Sequence, residues 1–304
     1  MQIYAKLGQS ANFKGSFLPL NKKRLPLPTV MIKIGIDIGI TSTKIAAIQD
    51  KKVLFAVVLQ EIFSPEVIAD LLAHYGFNGK DVESISVTGV GQDKINYPIF
   101  GKIPRPVGEF EANAAGACFF YDLERFIIVS MGTGTSFVKV EKGEYAHLGG
   151  SALGGGTLTG LSKMVFHGDS STYICKLADK GDLAHVDLHL DEVCKVDKKF
   201  PLRITASNIR KGNKQTSRED AALGLLNLVV QNIGVMAYFA GLGFGIKDFV
   251  CIGRVTQIPQ CEQLLEQVSK LYEINFHIPQ YAPYITAIGA AVATGKPAQS
   301  SPKI

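Results

Sequence analysis

Two segments of the chain alternate between apolar and other positions in the way that β-strands do. In Ile32–Ile48 an apolar strand ends near Asp37, a turn rich in glycine and hydroxyl residues follows, and a second strand begins at Lys44. Phe126–Val140 repeats this order, with another Gly/Thr/Ser turn between two apolar strands. The repetition predicts two similar halves that face each other across a ligand cleft.

The turns of the two hairpins carry groups that bind phosphate. Glycine lets the backbone turn tightly with its N–H groups facing outward, and the neighbouring hydroxyls add donors. Asp37 lies close enough to such phosphates to hold a hydrated Mg²⁺ against them. A plain hairpin is the alternative for either turn taken alone. The predicted nucleotide-binding residues are Asp37, Gly39, Thr41, Ser42, Thr43 and Lys44 in the first hairpin and Gly132, Thr133, Gly134 and Thr135 in the second.

Helical periodicity predicts several further elements. Ser64–Tyr75 is a helix with Pro65 at its first position. Ser217–Ala240 is a long helix with apolar residues at helical spacing. Asp179–Lys199 is polar and is predicted to be a peripheral insert. Ile285–Thr294 is an alanine-rich helix whose small residues suit a return to the first half of the chain.

A second candidate for chemistry is Glu109, which stands at the entrance to the small-residue helix Ala112–Phe120. One interpretation is a carboxylate that the helix dipole stabilises. The other is a general base that takes a proton from a hydroxyl attacking a γ-phosphate. Glu111 has only the first interpretation.

Tyr145–Leu161 is the densest glycine segment and leads into a helix. Backbone N–H groups at a helix start bind anions, so a phosphate-facing loop is predicted, with a flexible linker as the alternative. His147, just before it, is either a surface residue or a substrate donor. The candidate nucleotide-binding residues here are Gly154, Gly155, Gly156 and Thr157 and, after the strand Asp248–Ile252, Gly253.

Composition narrows the function classes. The net charge of +5 on 304 residues comes from the basic, acid-free segment Met1–Val30; the remainder carries equal numbers of basic and acidic side chains, so nucleic acid is not expected. No apolar run approaches the roughly twenty residues that span a bilayer, so a soluble chain is predicted. Residues 1–30 are interpreted as a disordered or artefactual tail before a start at Met31, with a transit peptide as the alternative.

The cysteines predict no metal cluster. There are five, widely spaced and without a C-x-x-C pair, which indicates reduced thiols of a cytoplasmic protein. Cys118 and Cys251 stand in apolar surroundings and are predicted to be core residues.

Four segments of the chain resemble, in sequence order, the phosphate-1, phosphate-2, adenosine and connecting segments of the actin-like ATPase superfamily. They are Asp37–Lys44, Met131–Ser136, Cys251–Thr256 and Ile288–Ala290. Within this superfamily, the sequence is similar to the type II pantothenate kinases. The resemblance runs from Met31 to Gly295. Its motifs are Gly108–Ala112, Met131–Ser136, Leu148–Gly150 followed by Gly154–Thr157, and Ala206–Asn208.

The resemblance implies an α/β fold of two ribonuclease-H-like domains, with Mg²⁺ and ATP in the cleft between them. The first domain would be 31–124 with the return helix 285–296, and the second 125–284. It also implies a cytoplasmic homodimer, for which Ser217–Ala240 is a plausible dimer element, and no membrane partner.

The resemblance further implies residue roles. Glu109 would be the catalytic base, and His147, Gly149 and Gly150 would bind the substrate. The reaction would be phosphorylation of pantothenate to 4′-phosphopantothenate, the first step of coenzyme A synthesis. His147 stands where the family usually has an arginine, so pantetheine, another small alcohol or a loss of activity stay open as alternatives.

Three other functions compete. The sequence of Asp37–Lys44 also resembles that of the ATPase activators of 2-hydroxyacyl-CoA dehydratases. Those proteins hold an iron–sulfur cluster through paired cysteines, and this sequence has no cysteine in the expected glycine-rich segments. A sugar kinase of the same superfamily would present an aspartate base near the cleft. A non-catalytic nucleotide-binding regulator is the third alternative, and His147 supports it.

Overall fold

The computed structural model describes residues 31–40, 42–59, 64–194 and 204–294. The predictions for the tail 1–30 and for Thr41 lie outside the described residues. The strands are β1 (Ile32–Ile38), β2 (Thr43–Gln49), β3 (Lys52–Leu59), β4 (Val82–Thr88), β5 (Arg105–Pro106), β6 (Arg125–Met131), β7 (Thr135–Glu141), β8 (Glu144–Ser151), β9 (Leu188–His189), β10 (Thr205–Ser207), β11 (Asp248–Ile252) and β12 (Asn275–His277). The helices are α1 (Pro65–His74), α2 (Glu109–Phe120), α3 (Gly155–Phe166), α4 (Ser171–Ala178), α5 (Leu190–Val193), α6 (Arg218–Leu242), α7 (Cys261–Tyr272) and α8 (Ile285–Val292).

The two large sheets have the same topology. The first has the order β3-β2-β1-β4-β5 and the second the order β8-β7-β6-β11-β12. In each, the first three strands in sequence are antiparallel neighbours, and the last two run parallel to the first. The predicted duplication is therefore confirmed at the level of strand order, and the fold is α/β with two sheet-based halves.

Strand β1 is the central strand of the first sheet, and nearly all of its residues are buried. Ile32, Ile34 and Ile36 are fully buried and join a core with Ile68 and Leu72 of α1. The opposite face of the strand carries Gly35 and Asp37, since side chains alternate along a strand. The apolar pattern thus decides which face of β1 presents Asp37.

Helix α8 lies between the opposite face of β1 and helix α2. The three elements meet at glycines: a Cβ on Gly35 would collide with the backbone of α8, and a Cβ on Gly289 of α8 would collide with the backbone of α2. Gly116 of α2 similarly faces the backbone of Ile285. Through these close approaches α8 packs directly on β1 and α2. These contacts hold the strand of Asp37 and the helix of Glu109 in one rigid stack.

Helix α6 is the main helix of the second half. The Ser217 side chain accepts a hydrogen bond of 3.0 Å from the backbone N–H of Asp220, which is an N-cap. The helix is long and apolar enough to cross a membrane, whereas the sequence analysis predicted that no apolar segment is long enough to do so. However, 56% of its most apolar window is buried within the protein, as expected of a core helix.

Three local predictions differ from the structure. The glycine segment is not one loop, because Gly149 and Gly150 lie in β8 and pair with β7. The stretch before residue 195 is not peripheral throughout, since Asp187 is fully buried. Cys251 is buried as predicted, whereas Cys118 is exposed on α2. Small residues, not cysteine, fill the contact between α2 and α8.

Candidate functional site

Three polar side chains form a row across the first sheet at the end of β1. Asp37 of β1 is in register with Lys44 of antiparallel β2 and with Thr88 of parallel β4. Residues in register project from the same face, so the three side chains are neighbours. The Lys44 ammonium forms an ion pair with Asp37 Oδ2 at 2.9 Å, and both side chains are mostly buried. The predicted phosphate-binding hairpin therefore contains a preformed carboxylate–ammonium pair.

Glu109 approaches this row from the next strand along the sheet. The backbone N–H of Val107 donates to the carbonyl of Val87 at 2.8 Å, which ties the chain beside β4 just before α2 begins. Glu109 is the first residue of α2. The side chain reaches solvent, yet protein surrounds its carboxyl group closely enough that desolvation raises its pKa. The charge of Asp37 raises that pKa further, and Lys44 opposes both effects. The structure thus brings Glu109, Asp37 and Lys44 together.

The turn of the first hairpin contains a buried hydroxyl group, that of Ser42. The Gly39 N–H donates to the Ser42 carbonyl at 3.1 Å, closing the turn, and Ser42 and Thr43 are buried. The Ser42 hydroxyl has no hydrogen-bond partner within the described part of the chain. Buried hydroxyls without a partner are uncommon in folded proteins. With Asp37, the Ser42 hydroxyl supplies the oxygen ligands that fit a hydrated Mg²⁺.

The glycine-rich start of α3 packs directly on the second hairpin. The N–H groups of Gly155 and Gly156 donate to the carbonyls of Gly132 and Thr133 at 2.8 and 2.9 Å. A Cβ on Gly154 would lie 2.6 Å from the Thr133 carbonyl oxygen, so only glycine fits there. These two N–H groups therefore hold the hairpin, a different use from the anion binding predicted for them.

Hydroxyl groups complete that contact. Thr135 Oγ1 donates to the Leu153 carbonyl at 2.8 Å, and Thr157 Oγ1 both donates to the Ala152 carbonyl at 2.9 Å and accepts from the Gly154 N–H at 3.2 Å. Gly253 lies behind the hairpin with φ +95°, where a Cβ would meet the Met131 backbone. The structure thus groups the predicted residues of the second half around one turn.

His147 lies beside the helix that carries Glu109. Its ring stacks on Phe110 with ring centroids 4.2 Å apart and an angle of 9° between the planes. Phe110 directly follows Glu109 in the sequence. Gly149, two residues along β8, has φ +134°, a conformation that favours glycine. His147 therefore packs on the residue that follows Glu109 in α2.

Two residues of this region were not predicted from the sequence. Thr88 ends β4 and directly precedes the sequence Gly89-Val90-Gly91, but its hydroxyl is not among the predicted site residues. Phe110 lies between Glu109 and Glu111 and is not among the predicted site residues. The available signals were the strand-end position of Thr88 and the place of Phe110 next to Glu109.

Comparisons with known proteins agree on one family. The Fumble family model matches residues 111–293. The BadF/BadG/BcrA/BcrD ATPase family model matches residues 34–164, which is less than half of the chain. A type II pantothenate kinase of Bacillus cereus is 31% identical over 234 residues, covering 72% of this chain and 82% of that protein.

Solved structures share the fold at low sequence identity. The activator of the 2-hydroxyisocaproyl-CoA dehydratase from Clostridium difficile, solved with bound ADPNP, has a TM-score of 0.62 at 16% identity and covers 86% of this chain and 93% of its own. A ROK hexokinase from Thermus thermophilus has a TM-score of 0.54 at 14% identity over 86% of this chain and 98% of its own. At such identities the likeness concerns the fold alone. The Fumble match and the similarity to the Bacillus cereus protein also identify the family. This chain is a kinase with the actin-like ATPase fold, and it belongs to the type II pantothenate kinase family.

Proposed function

We propose that this protein phosphorylates pantothenate with ATP, giving 4′-phosphopantothenate, the first step of coenzyme A synthesis. The observation that carries the proposal is the position of Glu109 at the start of α2, within electrostatic reach of both Asp37 and Lys44. Family membership supplies the acceptor, since the Bacillus cereus relative is named a type II pantothenate kinase.

In the proposed reaction Glu109 accepts the proton of the acceptor hydroxyl. The acceptor oxygen forms a bond to the γ-phosphorus of ATP while the bond to the bridging oxygen breaks, and ADP leaves. ATP bound with Mg²⁺ would supply the phosphoryl group and neutralise part of its charge. A raised carboxyl pKa suits a general base, because a base with a higher pKa takes up a proton more readily.

The other residues would bind and orient the nucleotide. Lys44 supplies a positive charge for phosphate oxygens, and the hairpins at Gly39 and Gly132 bring backbone and hydroxyl donors to them. Asp37 would hold the hydrated Mg²⁺ with Ser42 nearby. The packing of Gly155 and Gly156 on the second hairpin supports a positioning role for these glycines in nucleotide binding.

His147 would contact the acceptor. Stacking on Phe110 holds the imidazole against the first turn of α2, and one ring nitrogen would donate to a polar group of the acceptor. Unlike an arginine, a histidine cannot grip a carboxylate with two parallel hydrogen bonds. The acceptors to compare are therefore pantothenate, which ends in a carboxylate, and pantetheine, which does not.

The experiment measures ATP-dependent phosphorylation of both acceptors by wild type, Glu109→Ala and Glu111→Ala. Glu111 lies in the same first turn of α2 and serves as the matched control. Removing the base should lower kcat by about 10²–10⁴-fold. The control should retain most of the activity.

Two results would contradict the proposal. Equal activity in Glu109→Ala and wild type would remove Glu109 as the base. A wild-type protein that binds ATP but phosphorylates neither acceptor would favour the non-catalytic regulator.

A homodimer in the cytoplasm is part of the same proposal. Phe239 and Leu242, exposed near the end of α6, are large apolar side chains that a second copy would cover. The molar mass in solution, from light scattering after gel filtration, tests the dimer. A monomeric mass at micromolar concentration would contradict it.

A further inference from the structure

Thr88 has a feature that the proposed reaction does not use. Its side chain is fully buried, and its hydroxyl has no hydrogen-bond partner among the described residues. Leaving a buried hydroxyl unpaired destabilises a protein, and most such groups find partners. A threonine in this state is therefore expected either to be replaceable by valine or to gain its partner when a ligand binds.

Asp37 lies beside Thr88 on the neighbouring strand. The two residues are in register on adjacent parallel strands, which lie about 4.8 Å apart, and they share a face of the sheet. The chain then turns tightly at Gly89, where φ is +89° and a Cβ would lie only 2.7 Å from Asp37 Oδ1. The end of β4 is thus packed against the Asp37 carboxylate.

The Lys44 ammonium donates to Asp37 Oδ2 at 2.9 Å. Phosphate oxygens attract the same ammonium group, because they are anionic and lie at the adjacent hairpin in the proposed complex. When Lys44 turns to the phosphate, Asp37 loses a hydrogen bond inside a largely buried site. A buried carboxylate in that condition needs another donor.

We propose that Thr88 is a positioning residue that donates a hydrogen bond to Asp37 when a bound nucleotide draws Lys44 away. The unpaired hydroxyl of the free protein is then the donor reserved for the bound state. The inference rests on the proposed function for the identity of the ligand. It adds a residue of β4 to a site otherwise built from hairpins and the α2 start.

The first test uses Thr88→Val, which keeps the β-branched shape and removes the hydroxyl. The melting temperature of the nucleotide-free protein should stay the same or rise, because the hydroxyl has no partner to lose. The affinity for Mg-ADP, measured by calorimetry without turnover, should fall about 10- to 150-fold, the factor of one hydrogen bond to a charged group. Thr88→Ser keeps a hydroxyl and should bind Mg-ADP like wild type.

Ser162→Ala is the matched control. Ser162 is also fully buried with an unpaired hydroxyl within the described residues, but it lies far along α3 from the glycine-rich start. This variant should leave the Mg-ADP affinity unchanged. Unchanged affinity in Thr88→Val, or equal losses in both variants, would overturn the proposal.

The second test needs no nucleotide. Lys44→Met removes the ammonium permanently, so Asp37 should already use Thr88 in the free protein. Adding Thr88→Val to Lys44→Met should then lower the melting temperature, although the same change does not lower it in wild type. No such reversal would overturn the Thr88 proposal, whereas failure of wild type to bind Mg-ADP would overturn the proposed function instead.

Discussion

The contact between α8 and α2 gives the sharpest test of how the site is held together. A Cβ on Gly289 would fall on the carbonyl oxygen of Ala112, and it would lie 2.6 Å from the Ala112 carbonyl carbon and 2.7 Å from the Gly116 nitrogen. All of these are backbone atoms of α2, which cannot rotate away as a side-chain end can. Gly289→Ala must therefore push the two helices apart.

The magnitude follows from the distances. The nearest of these atoms, the Ala112 carbonyl oxygen, would lie 1.7 Å from the Cβ, whereas ordinary contacts of a Cβ lie at 3.4–4 Å. The two helices must therefore separate locally by more than 1 Å, and a gap of about 1 Å already removes up to about half of the attraction of each contact across it. Over-packing typically costs about 1–3 kcal/mol, and a clash with backbone places this variant at the upper end or beyond, about 3 kcal/mol.

Gly160→Ala is the control for this change. Gly160 lies inside α3, and a Cβ there meets no heavy atom within 4 Å. Alanine should stabilise that helix by about 0.5–1 kcal/mol through helix propensity. The same substitution thus has opposite expected signs at the two positions.

The assay is the unfolding free energy of both variants and wild type, from denaturant titrations followed by circular dichroism. A kinase assay accompanies it, because Glu109 begins the displaced helix and a shift of about 1 Å at a reacting group lowers the rate about 10²-fold. A Gly289→Ala protein as stable and active as wild type would refute the packing of α8 on α2 described above.

Three further predictions concern charge, buried polarity and thiols. The rate should fall as the pH drops through the raised pKa of Glu109, since only its carboxylate form accepts a proton. Lys44→Met removes the positive charge that lowers this pKa. In that variant the fall of kcat at acid pH should therefore begin at a higher pH. Asn227→Ala should lower the unfolding free energy by about 1.5–3 kcal/mol, because Asn227 Nδ2 donates to the buried Asp187 carboxylate at 2.7 Å; an unchanged denaturation midpoint would contradict this. Burial raises the pKa of the Cys251 thiol well above its usual value, so mass spectrometry should find it alkylated only after unfolding.

The sequence determined the elements and the class of site. Alternating isoleucines placed β1, and Ser217 marked the start of α6, because strand alternation and helix capping are local properties. The two glycine–hydroxyl turns indicated a duplicated nucleotide fold for the same reason, since turn chemistry depends on a few neighbouring residues. Glu109 was named from its place before a helix and from a family resemblance.

Tertiary structure alone decided which groups meet. The row of Lys44, Asp37 and Thr88 depends on the register of three strands, two of them separated by a helix, and no local pattern encodes that register. The N–H groups of Gly155 and Gly156, predicted to bind an anion, donate to carbonyl groups of the second hairpin, a contact that depends on how α3 packs on that hairpin. The stacking of His147 on Phe110 likewise joins residues of β8 and α2 that the sequence keeps far apart. Side chains that become neighbours only when sheets and helices pack acquire their chemistry from that packing.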